Sequence, residues 1–235
     1  MHARLVHLLW SGVVLTNATA FAQNVFQNLG FENGSVAGYT AFSGVPIGVA
    51  MPGWSASISA SGLNYDESLV GYDGFSIGGP GVAIWDTNLP SSSPFTPFEG
   101  SYSVVLFAGG TIPRYSASIS QSGLIPPGTK SLRVDMFWVL ESITVSFNGQ
   151  AINLVPLESY AAYTVYGGDI SQFAGQAVEL TFTEPPTPPG QPEPSSAVLD
   201  DIVFSPSAIP EPSTLGLLWM GLPALLLSRR RDTAK

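Results

Sequence analysis

The chain has 235 residues, with 17 acidic against 8 basic side chains for a formal charge of −9, no cysteine and two histidines. Both histidines, His2 and His7, lie at the very start. The remainder therefore excludes Ser-His-Asp and Cys-His nucleophilic sites, His- or Cys-ligated zinc, haem and iron-sulfur sites, and disulfides. Between Gln23 and Ile209 only Arg114, Lys130 and Arg133 are basic among fifteen acidic residues, a surface that repels phosphate backbones and argues against nucleic acid as a partner.

Taken in chain order, the first segment is an export signal. Arg4 supplies the positive start, Leu5 to Leu15 an apolar run, and Ala20-Phe21-Ala22 the small-x-small cleavage pattern, so residues 1–22 form a signal peptide. Residues 23–208 then read as one β-rich ectodomain. Strand-like stretches follow at NVFQNLGFE (Asn24 to Glu32), GVAIW (Gly81 to Trp85), SYSVVLFA (Ser101 to Ala108) and YSASISQSG (Tyr115 to Gly123). GLIPPGTKS (Gly123 to Ser131) has the look of a phosphate-binding loop with one residue inserted before the lysine. Pro126 and Pro127 lack the N–H groups such a loop needs, so it reads as a turn.

In SLRVDMFWVL the residues Leu132, Val134, Met136, Trp138 and Leu140 share one face at period two, which marks a strand with Trp138 in the core. ITVSFNGQAINL is a hairpin turning at Asn148-Gly149. AVELTFTE (Ala177 to Glu184) alternates cleanly, and AVLDDIVF (Ala197 to Phe204) closes the domain. Between these two lies a Pro-rich loop, residues 184–196. Many short strands with Gly and Pro turns and no amphipathic helix predict an all-β sandwich of jelly-roll type.

Residues 209–235 differ in kind. An uncharged stretch from Leu215 to Leu227 predicts a short transmembrane helix at about 213–228, and Arg229, Arg230 and Arg231 after it hold that end in the cytoplasm. Export signal and arginine stop demand one topology, with the ectodomain across the membrane. Pro210-Glu211-Pro212-Ser213-Thr214, the short apolar helix and the arginine cluster together resemble the PEP-CTERM sorting signal of Gram-negative bacteria. That resemblance implies signal peptidase and the Sec machinery for export, exosortase as the processing partner, the membrane as a transient anchor, and a destination at the cell surface or in an extracellular matrix rich in polysaccharide.

The ectodomain's pieces, in order, resemble the galactose-binding-like jelly roll of carbohydrate-binding modules: NLGFENGS (Asn28 to Ser35), PGW (Pro52 to Trp54), EGSYSVVL (Glu99 to Leu106), ISQSGLIPPGTKSLRV (Ile119 to Val134), FNGQAINL (Phe147 to Leu154) and LDDIVFS (Leu199 to Ser205). That fold implies that the first and last strands meet, bringing Glu32 near Asp200 and Asp201. Carboxylates gathered without cations suit calcium, an expected structural cofactor, as much as an exposed acidic rim. Sugar binding calls for aromatic platforms, and Trp54 and Trp85 are the candidate ligand-binding rings, with Tyr65, Tyr72, Tyr160 and Tyr163 at loops or strand ends. Asp66, Glu67, Asp73, Asp86 and Glu99 lie where a glycosidase pair would form, but no spacing singles out two. The reading is an exported, exosortase-sorted, noncatalytic glycan-binding protein; the alternatives are a purely structural matrix protein without a specific ligand and, behind it, a carboxylate-dependent glycoside hydrolase.

Overall fold

A computed structural model describes residues 25–60, 63–74, 80–87, 96–109, 114–139, 143–191 and 194–209. The expected signal peptide (1–22), the motif Pro210–Thr214, the span at about 213–228 and Arg229–Arg231 lie outside the described residues, as does Leu140. Among the described residues no helix is long and apolar enough to cross a membrane.

The strands in chain order are β1 Gly44–Pro46, β2 Ser55–Ala60, β3 Leu63–Glu67, β4 Leu69–Tyr72, β5 Gly81–Asp86, β6 Tyr102–Phe107, β7 Tyr115–Leu124, β8 Ser131–Val139, β9 Thr144–Phe147, β10 Gln150–Ala151, β11 Val155–Ser159, β12 Thr164–Asp169, β13 Ala177–Glu184 and β14 Ser196–Ser205. They form an eight-stranded sheet, ordered β1-β4-β5-β6-β14-β8-β12-β11, and a six-stranded sheet, ordered β10-β9-β13-β7-β2-β3. Only the β4–β5 pair is parallel among these neighbours.

Alternation explains how the two sheets meet. Ala117 and Ile119 of β7, Leu180 and Phe182 of β13 and Val145 and Phe147 of β9 point inward from the smaller sheet. Val104 and Leu106 of β6, Leu132, Val134 and Met136 of β8 and Leu199 of β14 are buried against them from the larger one. The result is one sandwich core, its strongest contribution being apolar area removed from water. The residues between these positions face outward. On the smaller sheet they are hydroxyls: Ser57 pairs with Ser118 and Ser118 with Thr183, the last two hydroxyls being 2.9 Å apart.

The local turns obey their residues. Asn148 (φ 49°) and Gly149 (φ 77°) make the hairpin turn between β9 and β10. At the apparent phosphate loop, Thr129 N–H donates to Pro126 O at 3.2 Å and Gly128 takes φ 83°, a tight turn with proline leading and glycine at the left-handed position. The described part of the Pro-rich segment connects β13 to β14.

The described part of the opening stretch, Val25 to Glu32, is not a strand. Val25 makes one isolated bridge to Leu124, after which Asn28 (φ 53°) and Phe31 (φ 60°) turn the chain. Side chains take the place of a neighbouring strand: the Gln121 amide accepts Gln27 N–H at 2.7 Å and donates to Gln27 O at 3.0 Å. Asn28 Oδ1 accepts Asn33 N–H at 2.9 Å. Ile202 N–H then donates to Leu29 O at 3.1 Å, which docks this segment on the last strand.

Candidate functional site

The expected metal ligands lie around a bulge in β14, between Asp200 and Val203, where Asp201 has φ 39°. Asp200 is 1% exposed; its Oδ2 accepts Phe98 N–H and Glu99 N–H at 3.1 Å each, and its Oδ1 accepts Asp201 N–H at 2.8 Å. Glu32 Oε1 accepts Ser101 N–H at 2.8 Å and Tyr102 N–H at 3.0 Å. The two carboxylates thus clasp residues 98–102 from opposite ends, and a Cβ at Gly100 would overlap the Glu32 carboxylate. Burial pushes Asp200 up to about 7 in spite of these N–H bonds, and the Glu32 charge adds to the rise. Asp201 acts elsewhere, on Asp135 and Tyr163. Among the described residues no group of three or more acidic side chains is arranged to hold a metal ion. The expected three-carboxylate site is therefore a two-carboxylate clasp with all-oxygen donors.

On the outer face of the larger sheet the strand register creates a second feature. Glu158 on β11 pairs with Val165 on β12, Val165 with Asp135 on β8, and Asp135 with Asp200 on β14. Three carboxylates share that cross-strand row, two of them directly opposite, an arrangement that destabilises a sheet unless something neutralises it. Asp135 is 7% exposed, and burial, reinforced by Asp201, Glu99 and Glu158, pushes it up to about 6, with the Tyr163 phenol acting the other way.

Aromatic rings border this row. The two-residue turn Ala161-Ala162 closes the β11–β12 hairpin through Tyr160 N–H to Tyr163 O at 2.8 Å, which sets the two tyrosines side by side. Their rings stack at 4.8 Å, and Tyr163 stacks on Phe98, also at 4.8 Å. Tyr160 is 53% exposed and its hydroxyl donates to Glu158 Oε2 at 2.8 Å. The hydrogen bond to Glu158 and that residue's charge raise the Tyr160 phenol, while burial and then Asp135 and Glu99 raise Tyr163. Beside the hairpin a depression of ≈ 220 Å³ is lined by Phe137, Trp138, Tyr160, Tyr163 and Tyr166 among others. Ring faces next to carboxylate acceptors can stack a pyranose and accept its hydroxyl protons.

The tryptophans expected to bind ligand are not there. Trp54 is 4% exposed, packed between Phe31 at 5.5 Å and Phe182 at 6.3 Å with its Nε1 donating to Asn28 O at 3.0 Å, so both faces are spent on the core. Trp85 is 8% exposed, in a small cluster with Ala83, Val105 and Val198 on the outer side of the larger sheet. Trp138, expected in the core, is partly buried and packs against the core, its ring 4.6 Å from that of Tyr166. Tyr72 is buried with its hydroxyl on Asp86 Oδ2 at 2.7 Å, beside Asp73, whereas Tyr65 is exposed on β3. Asp66 and Glu67 stand on that same edge strand, away from the buried Asp73 and Asp86. Sequence reading missed Phe98, Asp135 and Glu158; the tyrosine pair flanking two alanines in ESYAAY was the available signal.

Fold and site together define an all-β two-sheet sandwich with an aromatic and acidic outer surface. No protein-family profile and no curated protein matches the chain. Similar solved structures include a cyclase from Fischerella sp. TAU, at 14% identity over 77% of this chain and 94% of that one, with a TM-score of 0.46. Another is TmCBM61 in complex with beta-1,4-galactotriose, at 16% identity over 77% and 97%, with a TM-score of 0.38. The enzymatically active domain of tailspike protein 4 from bacteriophage CBA120 matches at 11% identity over 77% of this chain and 21% of that one, with a TM-score of 0.38. At these values the likeness is one of general fold. The expectation of a noncatalytic protein is corrected by the cyclases among the similar structures; the lack of His and Cys between Gln23 and Ile209 leaves carboxylate chemistry open.

Proposed function

We propose that this is an exported glycan-binding β-sandwich whose ligand stacks on the open face of Tyr160 and hydrogen-bonds to Glu158 and Asp135. The observation that carries the reading is the column of rings Phe98, Tyr163 and Tyr160, open at its Tyr160 end and bordered by the carboxylate row. The jelly-roll resemblance supports it, and the galactotriose complex of TmCBM61 is a precedent for a saccharide on a sandwich. Oligosaccharide titration of the full chain is the test. Tyr160→Ala is expected to weaken binding about tenfold, the worth of one aromatic contact of about 1.4 kcal/mol, without moving the unfolding midpoint. No saccharide bound at millimolar concentration would favour the structural matrix role.

In the same proposal, Pro210 to Thr214, the span at about 213–228 and Arg229 to Arg231 direct exosortase sorting to the cell surface or matrix after Sec export. Changing Pro210, Glu211 and Pro212 should block processing while insertion continues, and Arg229, Arg230 and Arg231 to Ala should weaken membrane retention. Normal maturation of the first variant refutes the sorting reading. Calcium belongs to the proposal too: Glu32 and Asp200, with carbonyl oxygens of the loop they clasp, supply the hard oxygen donors that ion takes. Its test is given with the pH dependence below.

A further inference from the structure

We propose that the glycan taken at this surface carries free primary amines, with its ammonium groups among Asp135, Glu158 and Glu99 and a ring face on Tyr160. The inference rests on the glycan-binding reading and adds the ligand's chemical class. Its first support is the register. Glu158, Asp135 and Asp200 occupy one cross-strand row, and Glu99 and Asp201 stand close enough for their charges to act on Asp135. Like charges placed opposite one another oppose folding, so the row makes physical sense as a site completed by a cation. Among the described residues these carboxylates do not gather around a metal-sized point. Their charge is spread along a line of strands about 4.8 Å apart, the scale of a saccharide rather than of an ion.

Among the described residues no cation of the chain fills that role. Arg114 is bound to Thr187 O at 2.8 Å. Lys130 precedes β8 at the opposite end of the strand from the tyrosines, and its backbone pairs with Ser205 and Ile170. Arg133 is one pleat from Asp135 toward that same end, opposite Val203, with its Nε buried.

Hydrogen-bond chemistry points the same way. Carboxylates accept and do not donate, and the exposed phenol at the site, Tyr160, already donates to Glu158. An acetamide carbonyl on the sugar would find acceptors where it needs donors. An ammonium brings three donors and a charge, and phenol faces attract it besides.

The experiment titrates the full chain, in mild detergent and calcium-containing buffer, with four probes: a glucosamine tetramer, its fully N-acetylated counterpart, a glucose tetramer and spermidine. The amine tetramer should bind at least tenfold more tightly than the other two sugars and than spermidine. That gap should narrow with added salt and in Asp135→Asn. Glu158→Gln, at an exposed position, repeats the measurement should the buried Asp135 variant fail to fold. Equal or tighter binding of the acetylated or glucose tetramer overturns the amine inference and leaves glycan binding standing. Spermidine equal to the amine tetramer overturns it also, because the surface would then read charge alone. No binding of any tetramer overturns the amine inference, while the wider oligosaccharide titration decides the glycan-binding reading separately.

Discussion

Two aromatic residues show what burial does to a side chain's role. Trp54 sits between Phe31 and Phe182, and its Nε1 reaches the carbonyl of Asn28, so it holds the opening segment onto the core. Trp54→Ala should destabilise the chain by about 3–5 kcal/mol, seen as a lower urea midpoint, because it leaves a cavity and strands a carbonyl. Tyr160, more than half exposed, should tolerate Ala with little change in the same measurement. A Trp54→Ala midpoint equal to wild type would remove Trp54 from the core and return it to the list of candidate ligand rings.

At the scale of elements, the β9–β10 hairpin depends on two left-handed residues. Gly149 has open space where a Cβ would go, so Gly149→Ala costs only backbone strain at φ 77°, about 1 kcal/mol. Asn148 does more: its backbone N–H donates to Glu179 O at 2.8 Å and its Oδ1 accepts Glu179 N–H at 2.9 Å, tying the turn to β13. Asn148→Ala should therefore cost more than Gly149→Ala in equilibrium unfolding. The reverse order would mean that the tie to β13 contributes nothing.

Over the whole molecule the carboxylates set the pH dependence of stability. Asp200 and Asp135 titrate near 7 and 6 in the folded chain against an ordinary 3.8, so between about pH 4 and 7 the folded state binds more protons than the unfolded one. With a chelator present, stability should rise as pH falls from about 7 toward 4. Calcium bound by the ionised Glu32 and Asp200 should oppose that slope, adding most stability at the higher pH, about 2.7 kcal/mol at one hundred times its dissociation constant, and raising the thermal midpoint accordingly. Thermal unfolding across this range, with calcium and with chelator, reads both effects. A wild-type midpoint indifferent to calcium at pH 8 refutes the ion, and a shift that survives Glu32→Gln places it elsewhere.

The sequence by itself determined what depends on near neighbours. Strict alternation in AVELTFTE and SLRVDMFWVL named β13 and β8 and their inward faces. Asn148-Gly149 and Pro126 to Thr129 named their turns, because left-handed and proline-compatible backbone is a property of the residue itself. Strands with weak signals escaped notice, among them β2, whose serines alternate with Ala56, Ile58 and Ala60, and the β11–β12 hairpin. Only the tertiary structure decided which aromatic would be wet. Trp54 and Tyr160 both stand beside loops, and it is long-range packing on Phe182 that buries one and the stacking on Tyr163 that leaves the other at the surface. The carboxylate row was equally hidden, since Glu158, Asp135 and Asp200 are far apart along the chain and meet through a register that period-two patterning constrains only to a face.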